Sequence, residues 1–359
     1  MTNRRTALTY DDIALIPNFS SVKSRTNINL KTLVSRRYGL LTPLVASPMD
    51  TVCEEEMAFK MFLMGGVGCI HRFMSIEEQS RQIRSLKYRI FGEGFGGPFE
   101  NWNLDENWHS EIADIPIMAA IGVQDEDKDR AIAITKSGAN VLIIDVAHGH
   151  HINVINMIKW CKENLPKDVD IIAGNISTKE AAIDLEAAGA DGLRALIGSG
   201  SLCTTRTKTG FGVPSVTSLE DIMSVAKTPV MADGGIRTSG DIAKALALGS
   251  STVMLGSLLA GTDEAPGKII ETSNGLIKRY RGSASLETKI THNKEERNIE
   301  GESTTIPYKG GVKFVVNGLI DGLKSALSYG GANNLYEFRP NYVQVTSSGI
   351  LESKPHLLK

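Results

Sequence analysis

The segment EAAGAD, residues 186–191, decides the fold. It ends a stretch of helical periodicity with a glycine at the position of a helix C-cap, and an apolar run of strand length begins at Gly192. Two other segments have the same form, KSGAN at residues 136–140 and LALGS at residues 246–250, and an apolar run follows each of them. The sequence therefore repeats a unit of helix, tight turn and strand.

Apolar runs of strand length recur eight times along the chain and alternate with segments of helical period. They are residues 44–49, 66–71, 116–122, 141–149, 170–176, 192–198, 229–235 and 252–261. Strands this apolar must be covered on both faces, which predicts a parallel sheet with helices outside it. Eight such units favour a closed (β/α)8 TIM barrel of the α/β class, and a doubly wound open sheet is the alternative.

All 359 residues are expected to form one barrel domain, since barrels of this kind commonly fill a chain of this length. Residues 1–40 would be an N-terminal arm over one end of the barrel, and residues 88–115 a short insertion. Residues 286–307 form a long polar stretch without apolar period, which is typical of a mobile active-site flap. Residues 318–359 are expected to contain a C-terminal helix and a tail.

The overall composition limits the kinds of partner and the cellular location that we expect for this protein. A net charge of -2 with 42% hydrophobic and 22% charged residues is ordinary for a globular protein and indicates neither a nucleic-acid nor a membrane partner. The N-terminus lacks an apolar signal region, and no apolar run approaches the roughly 20 residues of a membrane helix, so we expect a cytoplasmic protein. The four cysteines form no CxxC pair, which argues against a zinc site and a disulfide framework.

The loop GSGSLCTTR, residues 198–206, has the residue types of a reactive site. Its glycines allow the backbone to approach a ligand, and exposed amides there would form a nest for an anion, to which Ser201 adds a hydroxyl. Cys203 would be a thiolate nucleophile, with Arg206 as the nearby cation that lowers a thiol pKa. The alternative is a Gly/Ser surface loop that contains a buried cysteine.

Other polar residues lie where predicted strands end, which is where TIM barrels carry their active sites. Turns at Gly235 and Gly256 would present backbone amides to a phosphate. Asp233 would accept hydrogen bonds from ribose hydroxyls, and capping of the next helix is its alternative role. Asp145 and Asn175 end two further strands, where either ligand contact or structural pairing would explain a polar side chain.

These motifs resemble those of the IMP dehydrogenase/GMP reductase family, and they occur in family order over nearly the whole chain. The matching segments are SPMDT (47–51), GGVGCIH (65–71), IDVAHGH (144–150), GSGSLCTTR (198–206), ADGGIR (232–237), VMLGSLLAG (253–261), YRG (280–282), EG (300–301) and PYKG (307–310). The resemblance implies a TIM barrel, usually a homotetramer, that acts on a purine nucleoside monophosphate with a nicotinamide cofactor.

The resemblance also implies roles for individual residues. Cys203 would attack purine C2 to form a covalent intermediate, and Thr205 and Glu300 match the proton relay of the reductases. Residues matched to the nucleotide are Ser47, Met49, Asn175, Ser201, Asp233, Gly235, Gly256, Tyr280, Gly282 and Ser283, and those matched to the cofactor are Asp145, Ala147 and Gly149. In the dehydrogenases, carbonyls at the positions of Gly198, Gly200 and Cys203 bind a monovalent cation, which makes K⁺ a candidate ligand.

The family has two branches that share this intermediate. A dehydrogenase passes a hydride to NAD and hydrolyses the adduct with an Arg-Tyr pair on a long flap, whereas a reductase expels ammonia from GMP and uses NADPH. Residues 285–300 contain no Arg-Tyr pair, and residues 88–115 are too few to hold the CBS domains of the dehydrogenases. The resemblance therefore favours GMP reductase activity. The alternatives are an IMP dehydrogenase without CBS domains that uses NAD, and a catalytically weak purine-nucleotide-binding regulatory protein.

Three positions depart from the family pattern. Ser199 stands where the family has proline, the run Arg194-Ala195-Leu196 replaces Lys-Val-Gly, and Ser283 replaces a methionine. Ser283 would keep the backbone contact to the base and change the shape of the pocket. A changed purine or a deoxynucleotide is therefore an open alternative for the substrate.

Overall fold

The computed structural model describes residues 6–92, 115–291 and 299–353. Residues 88–91 of the predicted insertion belong to a helix, and residues 93–114 lie outside the described residues. So do the start of the predicted N-terminal arm, the middle of the predicted flap and the end of the predicted tail.

The N-terminal segment closes one end of the barrel. After β1 (Ile13–Leu15), it forms an antiparallel hairpin of β2 (Thr32–Leu33) and β3 (Gly39–Leu40). Three apolar side chains of the hairpin region join the hydrophobic cluster inside the barrel, namely Val34, Tyr38 and Leu40. The hairpin is also tied to the start of a barrel strand, because Arg37 Nε donates to Asp170 Oδ1 at 2.8 Å. This covered end is therefore the amino-terminal end of the barrel strands.

Eight parallel strands form the barrel. They are β4 (Leu44–Ala46), β5 (Val67–Ile70), β6 (Met118–Ile121), β7 (Val141–Asp145), β8 (Asp170–Ile176), β9 (Gly192–Ala195), β10 (Val230–Asp233) and β11 (Thr252–Leu255). Because β9 pairs with β10 and β11 pairs with β4, the sheet closes on itself. The predicted (β/α)8 barrel is confirmed and the open sheet is wrong. Each strand lies within its predicted apolar run, and the remainder of most runs forms the loop after the strand.

Helices alternate with the strands, and those longer than five residues cover the outer face of the barrel. They are α1 (Glu55–Leu63), α2 (Ile76–Phe91), α3 (Asp125–Lys136), α4 (Ile152–Asn164), α5 (Lys179–Ala187), α6 (Thr205–Thr209), α7 (Ser215–Met223) and α8 (Ser239–Ala247). The predicted cap glycines Gly138, Gly189 and Gly249 have φ angles of 116°, 106° and 105° after α3, α5 and α8. An L side chain would be strained at such angles, which explains why glycine recurs in the repeat.

An antiparallel sheet follows the last barrel strand and changes the interpretation of the flap. It contains β12 (Ile270–Thr272), β13 (Gly275–Arg281) and β14 (Ser303–Pro307). Thus α9 (Leu286–Thr291) begins the predicted flap, and a strand ends it. The polar composition concealed β14 because it is an edge strand that pairs through its backbone while most of its side chains are exposed.

The C-terminal part consists of α10 (Val312–Tyr329), β15 (Tyr342–Gln344) and α11 (Ser347–Glu352). The predicted C-terminal helix therefore begins earlier than residue 318, and β15 pairs antiparallel with β1. Of the helices in the described ranges, none combines the length and the apolar character needed to cross a membrane.

Alternation along the barrel strands determines which side chains face the barrel interior. On β7, Val141 and Ile143 belong to the hydrophobic cluster inside the barrel, and the residues between and after them belong to the cluster beneath the helices. Asp145 continues the inward series at the end of this strand. Arg194 on β9 and Asp233 on β10 occupy inward positions by the same alternation. Charged side chains from three strands therefore converge at the carboxyl-terminal end of the barrel.

Candidate active site

A cavity of about 310 Å³ opens at the carboxyl-terminal end of the barrel. It is lined by the ends of barrel strands, the loop after β9, the residues just before the predicted flap, and residues 300–301 within the flap. The residues that the sequence predicts for the site and that line this cavity are Ser47, Met49, Asp145, Ala147, Asn175, Gly198, Gly200, Ser201, Cys203, Thr205, Asp233, Gly235, Gly256, Tyr280, Gly282, Ser283 and Glu300. Gly149 does not line it. Its amide donates to the carbonyl of Asn175 at 2.7 Å, so Gly149 supports a neighbouring loop.

The thiol of Cys203 begins a chain of three polar groups. Cys203 Sγ lies 3.1 Å from Thr205 Oγ1, and Thr205 Oγ1 donates to Glu300 Oε2 at 2.7 Å. Cys203 is exposed in the cavity, so the alternative of a buried cysteine in a surface loop is wrong. A single hydroxyl thus connects the thiol to a carboxylate, and this geometry allows a proton to pass between them.

The other cysteines differ from Cys203 in their surroundings. Cys53, Cys69 and Cys161 are buried, and burial raises the pKa of each thiol, to about 12 for Cys161. A thiol with such a pKa stays protonated at neutral pH and is a poor nucleophile. Cys203 is therefore the candidate nucleophile of the chain.

Main-chain hydrogen bonds hold the segment that carries the Glu300 carboxylate in place. Thr204 N donates to the Glu300 carbonyl at 3.0 Å, and Glu302 N donates to the Leu202 carbonyl at 3.0 Å. The amide of Glu300 donates in turn to the carbonyl of Ala284 at 3.2 Å. The end of the predicted flap is thus joined to the cysteine loop by its backbone, which brings the side chain of Glu300 to Thr205.

Arg206 has a different role from the one that the sequence suggests. Its Nη2 donates to the carbonyls of Val213 at 2.8 Å and Ile197 at 3.3 Å. A Cβ at Gly198, where φ is 77°, would lie 2.6 Å from Arg206 Cγ, so the arginine packs against the turn of the loop. Among the residues described, no hydrogen bond joins Arg206 to Cys203. Arg206 therefore supports the loop that presents Cys203, and the interpretation of it as the partner of the thiol is not supported.

Hydroxyl groups and glycine turns meet at one end of the cavity. Ser201 Oγ and the Tyr280 hydroxyl are 3.1 Å apart. A Cβ at Gly256 would lie 3.1 Å from that phenol oxygen, so glycine allows the close approach, and Gly235 has a φ of 77°. Burial raises the pKa of Tyr280, and the charge of Asp233 adds to the effect, so the phenol stays a hydrogen-bond donor. This end of the cavity has the donors that a phosphate requires.

Two carboxylates lie on the other inner faces of the cavity, and both have protein partners. Asp233 Oδ2 accepts from Asn175 Nδ2 at 2.7 Å and from Arg194 Nε at 3.0 Å. Asp145 Oδ1 accepts from Arg194 Nη1 at 2.5 Å. Capping of the next helix is performed by Thr238, so the alternative role for Asp233 is wrong. Asp145, Asn175 and Asp233 therefore line the cavity while also forming structural pairs.

Sequence reasoning missed two arginines. Arg194 departs from the family motif, and a charged residue inside an apolar strand is itself a signal of a buried partner. Arg72 lies two residues after the end of β5, and its Nη2 donates to the Asp145 carbonyl at 3.1 Å. Arg72 Nε is buried and has no hydrogen-bond partner within the described ranges. A donor without a hydrogen bond, 3.9 Å from Asp145 Oδ2, suits a polar or anionic group of a dinucleotide, so the residues fit a nicotinamide cofactor.

The candidate cation ligands are backbone carbonyls of the loop that contains Cys203. Gly198, Gly200 and Cys203 share one loop, but the Gly200 carbonyl already accepts from Cys203 N at 3.1 Å. Within the described part of the chain, no group of three or more His, Cys, Asp or Glu residues could hold a metal ion. A monovalent cation at the loop carbonyls stays a prediction of the resemblance.

Comparisons with known proteins agree with this geometry. A family model described as "IMP dehydrogenase / GMP reductase domain" matches residues 7–356. The chain is 34% identical to a GMP reductase from Leishmania major, over 97% of this chain and 96% of that protein. It is 37% identical to an inosine-5'-monophosphate dehydrogenase from Cryptosporidium parvum, over 97% of this chain and 94% of that protein. A crystal structure of a GMP reductase variant from Trypanosoma brucei in complex with guanosine 5'-monophosphate matches with a TM-score of 0.89 and 32% identity, covering 99% of this chain and 98% of that chain.

Proposed function

We propose that this chain, which belongs to the IMP dehydrogenase/GMP reductase family of NAD(P)-dependent oxidoreductases, is a GMP reductase. The reaction would be GMP + NADPH + 2 H⁺ → IMP + NADP⁺ + NH₄⁺. The observation that carries the proposal is the chain Cys203–Thr205–Glu300, which joins a nucleophile to a proton relay. The Leishmania and Trypanosoma relatives named GMP reductase support the same branch.

The first half of the reaction uses the relay. Cys203 Sγ forms a bond to purine C2 while the proton of the thiol passes through Thr205 Oγ1 to the amino group at C2. The C2–N bond then breaks and ammonia leaves, which conserves the proton and leaves a thioimidate on the enzyme. The carboxylate of Glu300, 2.7 Å from Thr205 Oγ1, orients the hydroxyl and accepts or returns its proton.

The second half restores the thiol. NADPH, when bound, would supply a hydride, and this hydride replaces the sulfur at C2. The electron pair of the S–C2 bond returns to Cys203 Sγ, which recovers a proton from solvent. No water has to be activated, which accords with a segment 285–300 that contains no Arg-Tyr pair.

The remaining site residues would bind the two ligands. Ser201 and Tyr280, with the turns at Gly235 and Gly256, would hold the nucleotide phosphate, and Asp233 would hold the ribose. The base would lie against Ser47, Met49, Gly282 and Ser283. Asp145 and Ala147 would face the cofactor. We extend the proposal to a homotetramer, following the resemblance.

A second candidate is an IMP dehydrogenase that oxidises IMP with NAD. The observation in its favour is the 37% identity to the Cryptosporidium parvum enzyme, against 34% for the Leishmania major reductase. It would need a group that activates water.

A spectrophotometric assay separates the candidates. Purified protein with GMP and NADPH should consume the reduced nicotinamide and release one ammonia for each NADPH. Formation of reduced nicotinamide from IMP and NAD, without the GMP reaction, would overturn the reductase proposal. Absence of both reactions with nucleotide binding retained would indicate a binding protein.

Cys203→Ala is the control for the covalent route. Cys203 is exposed in the cavity, so the variant should fold normally and bind GMP in calorimetry while turnover is lost. Turnover by the variant at a rate near that of the native protein would contradict a covalent intermediate.

A further inference from the structure

Arg194 links the two halves of the cavity. It lies on β9 and is only 6% exposed. Its Nη1 donates to Asp145 Oδ1 at 2.5 Å, and its Nε donates to Asp233 Oδ2 at 3.0 Å. One buried guanidinium therefore binds carboxylates from β7 and β10, and the two contacts use nitrogens that are held in one rigid plane.

The register of the barrel strands opens the path between Arg194 and Asp145. In the row that crosses β7, β8 and β9, Gly174 pairs with Asp145 on one side and with Arg194 on the other. A Cβ at Gly174 would lie 2.6 Å from Arg194 Cβ and 2.4 Å from the Arg194 carbonyl. Because this middle position has no side chain, the arginine can reach across β8 to the aspartate.

The charges in this cluster favour an ionised arginine. Burial lowers the pKa of Arg194, but the charges of Asp233 and Asp145 outweigh burial and hold the pKa above its usual value. Arg72 adds a second cation, with its Nε 3.9 Å from Asp145 Oδ2. Asp233 Oδ1 and Asp145 Oδ2 form no hydrogen bond with any described residue. Each carboxylate thus keeps one oxygen available to a ligand hydroxyl.

We propose that Arg194 is a positioning residue that holds Asp145 and Asp233 in one fixed arrangement, so that nucleotide and dinucleotide bind side by side. The proposal rests on the proposed function, which assigns Asp233 to the nucleotide ribose and Asp145 to the cofactor. A substitution at Arg194 is then expected to affect both ligands, because the side-chain hydrogen bonds that Arg194 makes to the described residues go to these two carboxylates.

The first test is Arg194→Lys. An ammonium is a point charge and cannot make both in-plane contacts of the guanidinium, so at least one carboxylate loses its position. We expect the KM for GMP and the KM for NADPH each to rise about tenfold, with kcat changed much less. Calorimetry without dinucleotide should show GMP affinity reduced about tenfold. Asp233→Asn should raise chiefly the KM for GMP, and Asp145→Asn chiefly that for NADPH. A change in only one KM in Arg194→Lys, or in neither, overturns the proposal.

Arg37→Lys is the matched control. Arg37 also pairs with a buried aspartate, Asp170, but at the amino-terminal end of the barrel. The variant should lower Tm and leave both KM values unchanged, which separates positioning in the cavity from a general loss of stability. The test is also independent of the reaction direction: if the protein oxidises IMP with NAD, the same pattern of KM values is measured with those ligands.

A second measurement leaves Arg194 itself unchanged. Asp145→Asn and Asp233→Asn each remove one negative charge from the cluster, so these variants keep the arginine paired. If Arg194 connects the two carboxylates, the loss of GMP affinity caused by Asp233→Asn should differ about threefold or more between the native and Asp145→Asn backgrounds. Additive effects in this cycle would overturn the proposal.

Discussion

A carboxylate pairs with arginine at each end of the barrel, but Asp170 at the amino-terminal end differs from Asp145 and Asp233 at the carboxyl-terminal end in how many of its oxygens accept hydrogen bonds. At the amino-terminal end, Asp170 accepts from Ser35 Oγ at 2.7 Å, Arg37 N at 3.0 Å and Arg37 Nε at 2.8 Å. At the carboxyl-terminal end, Asp145 and Asp233 share one arginine, and each has an oxygen without a hydrogen bond to the described residues. A carboxylate whose acceptor positions are filled stabilises the fold, whereas one with a vacant position is available to a ligand.

The backbone at the two ends shows the same difference. The amino-terminal end is closed by a hairpin region whose apolar side chains, such as Val34 and Tyr38, pack inside the barrel. The carboxyl-terminal end has turns at Gly198, Gly234 and Gly235 with φ of 77°, 102° and 77°, which keep side chains out of the cavity. One end therefore contributes stability, and the other keeps space for chemistry.

Among substitutions that keep the nucleophile, the largest expected effect is at the open end, at Glu300. Glu300→Gln keeps the size of the side chain but removes the carboxylate that accepts the Thr205 hydroxyl proton at 2.7 Å. We expect kcat to fall about 10²- to 10³-fold, as is typical of the loss of a general acid–base group. GMP affinity in calorimetry should be nearly unchanged.

Glu302→Gln is the matched control for this prediction. Glu302 is exposed and lies two residues along the same strand-like segment, so its loss should leave kcat unchanged. Equal losses of kcat in the two variants would mean that charge near the flap, and not the relay, determines the rate.

An effect on stability alone is expected at the closed end, at Asp170. Asp170→Asn weakens the hydrogen bonds that the buried carboxylate accepts from Arg37 and Ser35, and because the Arg37 side chain is 43% exposed and stays solvated, we expect the free energy of unfolding to fall by only about 2 kcal/mol. Because Asp170 lies at the opposite end from the cavity, kcat and both KM values of the folded protein should not change. Urea unfolding and steady-state kinetics measure the two quantities. A raised KM with unchanged stability would remove the distinction between the ends.

The smallest effect is expected at Tyr280, at the phosphate end of the cavity. Tyr280→Phe removes one hydroxyl donor, so GMP affinity should fall about fivefold to tenfold. Burial raises the pKa of Tyr280 above its ordinary value of 10.0, so the native phenol keeps its proton, and its donor role, below that pH. The ratio of native to variant affinity should therefore stay constant from about pH 7 to pH 9. A ratio that approaches one across this range would show that the phenol ionises earlier.

The sequence by itself determined the barrel and most of its candidate site. Apolar runs separated by helical segments were sufficient to predict the eight strands, because the hydrophobic pattern and cap glycines such as Gly189 act within a few residues of the chain. The loop that contains Cys203 and Thr205 was recognised for the same reason, since its glycines and hydroxyls lie together in the chain.

Only the tertiary structure decided which of these residues meet. Arg194 and Asp145 are 49 residues apart and touch because the register of three strands aligns them across Gly174. The Arg206 side chain donates to loop carbonyls, and β14 is held by backbone pairing that requires no apolar pattern in the sequence. These contacts depend on strand register and on backbone groups that every residue type shares, so the order of side chains does not specify them.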